Sequence, residues 1–247
     1  MRDRRSSEPG FAITHDAETP DTLVAGFSAF GLAGLTAVDY LVNQLEMSES
    51  GHLSAEGLPA ITPFEEGRPR HHTRIFTAEE YDIAVLVGEL IVPLSAASAL
   101  SDAILGWSDE NGVSEITILS GVPIAHGPEE HVPFYVATDD YRERRLDDTD
   151  IRPMGKGVLD GLSAELMEQG IDEELAVGLL TTPVHQQAPD VEAAIRLLDA
   201  LTGVYGIELD TGPLEAFAAE VQQYYTALAE RLESAEEPAG FEDRMYM

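Results

Sequence analysis

The first stretch of this sequence with a spacing that could bind a ligand is a glycine-rich turn, formed by Gly26, Ser28, Gly31 and Gly34. Backbone amides in such a turn, followed by a helix N-terminus, can hold an anion. The glycines have the spacing G-x4-G-x2-G, whereas the dinucleotide fingerprint is G-x-G-x-x-G. A phosphate loop would also require Lys and Ser or Thr where Leu32 and Ala33 stand. Close packing of a helix on a strand is therefore the preferred interpretation, and an anion or ligand site is the alternative.

The seven histidines include two pairs that could act as metal ligands. His126 and His131 flank a short acidic segment, and His71 and His72 are adjacent in a loop. Either pair could hold a metal ion together with a nearby carboxylate. Polar surface loops are far more common at such spacings in a chain this acidic, so we expect no metal site and no cofactor.

Catalytic signatures are missing from the sequence. No serine lies in a G-x-S-x-G elbow, no H-E-x-x-H sequence occurs, and no cysteine is present. Glu89 and Asp102 have the chemistry of an acid and base pair, but chance pairings mean little among 46 acidic residues. The sequence thus predicts no catalytic residue, and we expect a protein that is not an enzyme.

The chain ends in a hydrophobic-Tyr-X sequence with a free carboxylate, Met245, Tyr246 and Met247. Tyrosine combines a large apolar area with one hydroxyl, which is the usual composition of an anchor at a protein interface. Residues 236–244 contain Pro238 and Gly240, and this stretch would reach roughly 30 Å if extended at about 3.3 Å per residue. Docking of this tail on a partner is one interpretation, and a frayed terminus is the other.

The charge of the chain limits its surroundings and its partners. Asp and Glu outnumber Lys and Arg by 46 to 14, which gives a formal net charge of −32. Repulsion among so many like charges destabilises a compact state in dilute buffer. Molar salt screens this repulsion, because it shortens the Debye length to roughly 3 Å. We therefore expect an archaeal protein of a halophilic, high-salt cytoplasm. No stripe of Lys and Arg is available to displace counterions, so a nucleic-acid partner is disfavoured.

Neither export nor membrane insertion is expected from the sequence. The basic residues at the N-terminus are followed by no apolar segment of the kind found in a secretory signal. No run reaches the roughly 18 apolar residues that a membrane-spanning helix needs. We expect a cytoplasmic protein.

Strands and helices alternate along the chain, which predicts an α/β fold with a Rossmann-like, mostly parallel sheet and helices on both faces. Short apolar runs predict central strands at residues 23–26, 83–87, 115–119 and 176–181. Apolar residues at helical spacing predict helices over 32–45, 95–107 and 158–169 and from 189 onward. Residues 139–150 are predicted to be a charged, solvated segment.

One domain is expected. Residues 1–20 form a polar lead-in with a short edge strand at residues 11–14, and residues 21–234 form a single α/β domain. Residues 211–213 begin a long amphipathic C-terminal helix, near 30 Å at 1.5 Å per residue. Residues 235–247 form a flexible acidic tail.

Several short motifs occur in the order and spacing of a known family. The turn from Gly26 to Gly34 resembles the G-F-x-x-F/W-G-x-x-G start of the PAC2 proteasome assembly chaperone family. The similarity continues, over about residues 20–210, through Val87-Gly88-Glu89, Leu119-Ser120-Gly121, Gly157-x-x-x-Gly161-Leu162 and Pro189-Asp190-Val191-Glu192-Ala193-Ala194. Ser28 and Ala29 replace the commoner Pro-Gly of the turn, a departure that bears on its geometry more than on its role.

This resemblance implies a homo-oligomer with a role in proteasome assembly or ATP-independent activation. Archaeal members with a hydrophobic-Tyr-X tail are thought to dock on the α-ring of the 20S proteasome. In that picture the hydrophobic residue and the tyrosine enter a pocket between α-subunits, and the terminal carboxylate meets a lysine. Met245, Tyr246 and Met247 match the pattern position by position. Two alternatives stay open: a nucleotide-dependent enzyme, such as an ATP-grasp-like carboligase using the Gly26–Gly34 turn, and an oligomeric scaffold with another partner.

Overall fold

The computed structural model describes residues 9–78, 80–185 and 189–220. The chain divides into two compact units, one up to Asp210 and one from Thr211 onward. In the second unit residues 212–220 are helical, in agreement with a helix that begins at residues 211–213. The remainder of the predicted C-terminal helix and the tail of residues 235–247 lie outside the described residues.

A nine-stranded sheet forms the centre of the first unit, in the spatial order β1-β3-β6-β7-β2-β8-β11-β9-β10. Its strands are β1 (Gly10–His15), β2 (Thr22–Phe27), β3 (Ser48–Glu56), β6 (Thr73–Thr77), β7 (Ala84–Gly88), β8 (Glu115–Val122), β9 (Phe134–Ala137), β10 (Arg152–Pro153) and β11 (Ala176–Pro183). The short strands β4 (Phe64–Glu65) and β5 (Arg68–Pro69) form a separate hairpin.

The four middle strands β7, β2, β8 and β11 run parallel, as predicted. Strands β1, β3 and β6 extend the sheet antiparallel on one side, and β9 pairs antiparallel with β11 on the other. Parallel neighbours need a long crossover, usually a helix, whereas the described residues of the connections β3–β6 and β6–β7 contain no helix. The sheet is therefore mixed, with a parallel centre and antiparallel flanks.

Five α-helices of this unit cover both faces of the sheet, which confirms that prediction. They are α1 (Ala33–Gln44), α2 (Ala97–Asn111), α3 (Asp139–Arg145), α4 (Gly161–Asp172) and α5 (Val191–Tyr205). Helices α1 and α5 pack against each other, and so do α2 and α4. Side chains alternate along β2, so Leu23 and Ala25 join the core under α2 and α4, while Gly26 faces α1.

Helix α3 overturns the expectation of a solvated segment at residues 139–150. The Thr138 hydroxyl caps its N-terminus by accepting a hydrogen bond from the Tyr141 amide at 3.5 Å. Tyr141 is fully buried, and its ring fills the space beside Gly178 of β11 where a Cβ atom would stand. A seven-residue helix held by one aromatic residue shows no apolar periodicity, which is why its sequence looks like a charged loop.

No helix among residues 9–78, 80–185 and 189–220 has both the length and the apolar character needed to cross a bilayer.

Candidate protein-interaction site

The glycine turn brings helix α1 into backbone contact with the sheet. A Cβ atom on Gly26 would lie 2.3 Å from the carbonyl oxygen of Gly34, and one on Gly34 would lie 1.9 Å from the carbonyl oxygen of Leu119 in β8. No side chain fits at either position, because real Cβ atoms do not approach backbone so closely. Two of the four predicted turn residues therefore serve the crossing of α1 over β2 and β8.

The other two turn residues, Ser28 and Gly31, face a cavity but have their own structural bonds. Ser28 donates its amide to Gly88 and its hydroxyl to Glu89, in both cases to a carbonyl oxygen at 2.9 Å. Gly31 has a left-handed φ of 64°, which glycine adopts without strain, and its carbonyl oxygen accepts the Asp190 amide at 2.8 Å. These bonds tie the turn to the end of β7 on one side and to the start of α5 on the other.

A cavity of about 1070 Å³ lies beside this turn. The ends of β2, β8 and β11 form its base, and the loop after β7 and residues 153–163 form its walls. All of its lining residues belong to the first compact unit. The carboxyl ends of parallel strands are where open α/β sheets bind their ligands, so this cavity is the natural candidate site.

The lining of the cavity is mainly apolar. Asp160 is the only charged residue among the described residues that line the cavity. The polar residues of the lining include Ser120 and Thr181. A phosphate group entering here would meet no Lys, Arg or His side chain from this lining. An apolar side chain or an uncharged ligand suits the cavity better than a nucleotide does.

Large apolar side chains stand exposed at the rim of the cavity. The exposed fractions are 97% for Val158, 70% for Leu94 and 52% for Phe30. Ile91, in the same loop as Leu94, is 76% exposed. We call the three residues that line the cavity, Phe30, Leu94 and Val158, the apolar rim. Exposed apolar side chains grouped in this way are typical of surfaces that bind a protein, a membrane or a ligand.

The sequence gives only a faint signal for the apolar rim. Val158 is the first residue of the helix predicted over 158–169, whereas α4 begins only at Gly161. Leu94 directly precedes the helix predicted from residue 95. A single exposed Val or Leu has no periodicity that would distinguish it from a core residue. Only the packing of the loops around the cavity gathers these residues on one surface.

The predicted partner-binding residues Met245, Tyr246 and Met247 lie outside the described part of the chain. Their role as a docking tail stays a prediction.

The acid pair considered from the sequence is not brought together. Glu89 forms an ion pair with Arg70 at 2.6 Å and lies 3.6 Å from Arg74, which in turn is 3.8 Å from Asp39 of α1. Burial raises the pKa of Glu89, and the two guanidinium groups oppose that rise. Asp102 is exposed on α2, which covers the other face of the sheet. Glu89 thus serves a cluster of ion pairs.

The histidines are arranged differently from the two pairs seen in the sequence. His71 stacks on His52 of β3 with ring centroids 3.6 Å apart. His126 and His131 are joined by His185, whose Nδ1 lies 3.0 Å from Oδ2 of Asp190. Nothing in their spacing along the chain indicates that His185 would meet the other two.

Asp190 also caps helix α5 and fixes the backbone on either side of it through hydrogen bonds to its carboxylate. Its carboxylate accepts hydrogen bonds from the Ala193 amide at 2.9 Å and from the His185 amide at 3.0 Å. Burial alone would raise the pKa of Asp190, but these hydrogen bonds outweigh burial, and the pKa lies below its usual value.

Taken together, these features define an α/β protein with a mixed sheet and an apolar cavity and rim at the carboxyl ends of its parallel strands. Within that class the chain belongs to the PAC2 family, whose model matches residues 23–229. The resemblance seen in the short motifs is thereby confirmed.

Known structures share the fold over nearly the whole chain. PbaA of Pyrococcus furiosus, an archaeal homolog of proteasome-assembly chaperone, gives a TM-score of 0.81 at 17% identity, covering 93% of this chain and 94% of that chain. PbaB of the same organism, an archaeal proteasome activator, gives a TM-score of 0.72 at 18% identity, covering 90% of this chain and 99% of that chain.

A relative is also found at the level of sequence. An uncharacterized protein of Methanocaldococcus jannaschii is 23% identical over 215 residues, which is 85% of either chain.

Proposed function

We propose that this chain is a proteasome assembly chaperone or ATP-independent proteasome activator that docks on the α-ring of the 20S proteasome. The observation that carries the proposal is its membership of the PAC2 family, with a fold shared almost end to end with PbaA and PbaB. The apolar rim fits this role, because a chaperone acts through surfaces that contact other proteins. No chemical step is assigned to the chain.

The contact with the α-ring is assigned to the last three residues. Tyr246 is the anchor, Met245 its apolar neighbour, and Met247 contributes its carboxylate. A single tail of this size binds weakly. Several tails on one oligomer gain affinity through effective concentration, by a factor of about 10²–10⁴.

The oligomer that presents the tails is proposed to form from copies of this chain that meet at the apolar rim. With a net charge of −32, two copies repel each other over most of their surfaces. Among the described residues, the lining next to the rim carries one charged residue, Asp160, so copies approach there with less repulsion. Light scattering in molar KCl should give a mass that is a multiple of the 26.7 kDa chain, and the mass of a single chain would contradict this proposal.

Docking is tested by co-sedimentation of the untagged full chain with an archaeal 20S proteasome in molar KCl. We expect deletion of residues 245–247, and likewise Tyr246→Ala, to reduce the bound fraction at least about tenfold, because avidity multiplies the loss at each tail. Met247→Ala is the matched control, since it keeps a terminal carboxylate and should bind like the native chain.

Two outcomes would count against the proposal at different levels. Equal binding by the native chain and the deletion variant would remove the role of the tail. Failure of the native oligomer to sediment with the proteasome would remove the proteasome as its partner.

The alternative of a nucleotide-dependent enzyme has no support from the cavity. Its described lining offers no cation for a phosphate, and Gly26 and Gly34 are committed to backbone packing. Calorimetry with ATP and Mg²⁺ in high salt tests it directly, and a saturable heat of binding would revive it.

A further inference from the structure

Three histidines from two separate loops converge beside the carboxyl ends of β8 and β11. His126 and His131 lie in the connection between β8 and β9, and His185 follows β11. One nitrogen of each ring lies within 4.8 Å of the chosen nitrogens of the other two. We propose that these three imidazoles bind one divalent transition-metal ion of the zinc class, with Asp190 orienting His185.

The rings are inclined to one another as ligands of a common ion are. Their centroids lie 4.9, 5.1 and 5.7 Å apart, with interplanar angles of 56°, 62° and 90°. In contrast, His52 and His71 are stacked face to face with an interplanar angle of 7°, so their lone pairs cannot meet at one point. Zn–N bonds of about 2.0–2.1 Å place tetrahedral ligands roughly 3.3 Å apart. Side-chain rotations that bring these nitrogens closer to one another by up to about 1.5 Å would therefore complete the site.

Hydrogen bonds select the nitrogen that each of two rings presents. Nδ1 of His126 lies 2.7 Å from the carbonyl oxygen of Ile124, and Nδ1 of His185 lies 3.0 Å from Oδ2 of Asp190. Both partners are acceptors, so each Nδ1 carries a proton and each Nε2 keeps a lone pair. Metal-binding histidines usually have this arrangement, in which a carbonyl or carboxylate fixes the ring from behind.

One of these nitrogens is buried without a partner. Among the described residues, none forms a hydrogen bond with Nε2 of His126, which is shielded from solvent. An unsatisfied buried polar atom destabilises the folded state, because it has lost its hydrogen bonds to water. Coordination of a metal ion removes this cost.

The backbone around the ligands is held in place before any ion binds. Asp190 accepts the amide of His185, and Glu130 accepts the amide of Gly127 at 2.8 Å in the segment between His126 and His131. Burial lowers the pKa of His131, and the guanidinium of Arg196 is a positive charge close enough to lower it further, so it would oppose the binding of a cation. This guanidinium donates to the Thr182 hydroxyl at 3.0 Å and to the Pro183 carbonyl oxygen at 3.1 Å. Three protein ligands leave one tetrahedral position for water or a carboxylate.

An ion at this position would join the β8–β9 connection to the loop that precedes α5. The Asp190 amide already bonds to Gly31, so the joined loops abut the glycine turn and one side of the cavity. Metal binding should therefore raise the melting temperature of the protein, because an ion that binds only the folded state stabilises that state.

The test is a Zn²⁺ titration of the untagged full chain in molar KCl, with a competing indicator. We expect one ion per chain and a higher melting temperature. The affinity should fall at least about tenfold in His126→Ala, His131→Ala and His185→Ala. Asp190→Asn should weaken Zn²⁺ binding about 10–100-fold, because the charged partner of His185 is lost. The helix should stay capped in this variant, since Asn is also a favourable N-cap residue.

His71→Ala is the matched control, because it removes an imidazole from the stacked pair and should leave Zn²⁺ binding unchanged. Substitution with Co²⁺ adds a spectroscopic readout, as tetrahedral nitrogen coordination gives intense visible bands. The proposal would be overturned if the native chain took up no Zn²⁺, or if the His126→Ala/His185→Ala double variant kept one ion at native affinity. Circular dichroism of the metal-free variants establishes that they are folded.

Discussion

At the scale of single residues, a chain of hydroxyl groups connects three elements through the core. The Glu115 carboxylate accepts the Tyr205 hydroxyl at 2.8 Å, so that proton is committed. Thr117 must then donate to the Tyr205 oxygen at 2.5 Å, and Tyr141 must donate to Thr117 at 2.7 Å. Arg145 completes the chain by donating to Glu115 at 2.8 Å. The hydrogen bonds therefore all point the same way, from α3 through β8 and α5 to an ion pair in which Glu115 is buried and Arg145 is partly exposed.

The change Tyr141→Phe should lower the free energy of unfolding by about 1–3 kcal/mol, because it leaves an acceptor on Thr117 unsatisfied. Burial raises the pKa of Tyr141 to about 12. A tyrosine whose pKa is higher in the folded than in the unfolded state contributes stability that is present below about pH 10 and is lost as the pH rises toward 12. The variant should therefore lose less stability over that interval than the native chain does.

Urea unfolding at constant molar salt, followed at pH 8 and at pH 11, measures both effects. Tyr135→Phe is the control, because Tyr135 is only partly buried and its hydroxyl has no hydrogen bond among the described residues. A Tyr141→Phe variant as stable as Tyr135→Phe, with the same alkaline slope as the native chain, would refute the argument.

At the scale of elements, the crossing of α1 over the sheet brings the backbone of the helix against the backbone of β8. Gly34→Ala would push a methyl group into the carbonyl oxygen of Leu119, which belongs to the backbone of β8 and cannot rotate away. We expect a loss of at least about 1–3 kcal/mol, because overpacking forces helix and strand apart. Thermal unfolding with circular dichroism is a suitable measurement.

Gly106 provides a control of opposite sign. It lies in α2, where a Cβ atom would meet nothing within 4 Å. Gly106→Ala should therefore raise stability by about 0.5–1 kcal/mol, since alanine favours the helix. The packing argument would be lost if both variants shifted the melting temperature in the same direction.

At the scale of the whole molecule, the net charge of −32 dominates. Few positive groups offset it, and several of these are already paired within the fold, as Arg70 is with Glu89 and Arg145 with Glu115. The remaining acidic side chains repel one another. In dilute salt the Debye length of about 10 Å leaves much of this repulsion unscreened, whereas in molar salt the Debye length is about 3 Å and the repulsion is screened.

Raising KCl from 0.1 M to 2 M should accordingly raise the melting temperature by about 10 °C or more. For a domain of this size that shift corresponds to roughly 3–5 kcal/mol. Sucrose at matched osmolality is the control, since it favours compact states without screening charge. A melting temperature that ignores KCl, or that rises equally in sucrose, would contradict self-repulsion as the cause.

Much of the fold follows from local patterns. The apolar runs at residues 23–26 and 115–119 indicated buried parallel strands, because strands covered on both faces need no polar side chain. Helix α5 followed from the apolar residues on one of its faces, although it begins at Val191 rather than at residue 189, because the Asp190 side chain caps its N-terminus. Helix α3 did not, since its one anchor, Tyr141, is recognisable only beside Gly178 and Thr117.

The candidate sites divide in the same way. The amino-acid sequence alone establishes the strong negative charge, the alternation of strands and helices and the family motifs, because each is a property of neighbouring residues or of composition. The docking role of residues 245–247 stays a prediction from the same sequence. Only the tertiary structure decided that Gly26 and Gly34 serve packing, that Val158 and Leu94 share one rim, and that His185 joins His126 and His131. These arrangements depend on which loops meet at the carboxyl edge of the sheet, and the order and register of strands far apart in the chain set those meetings.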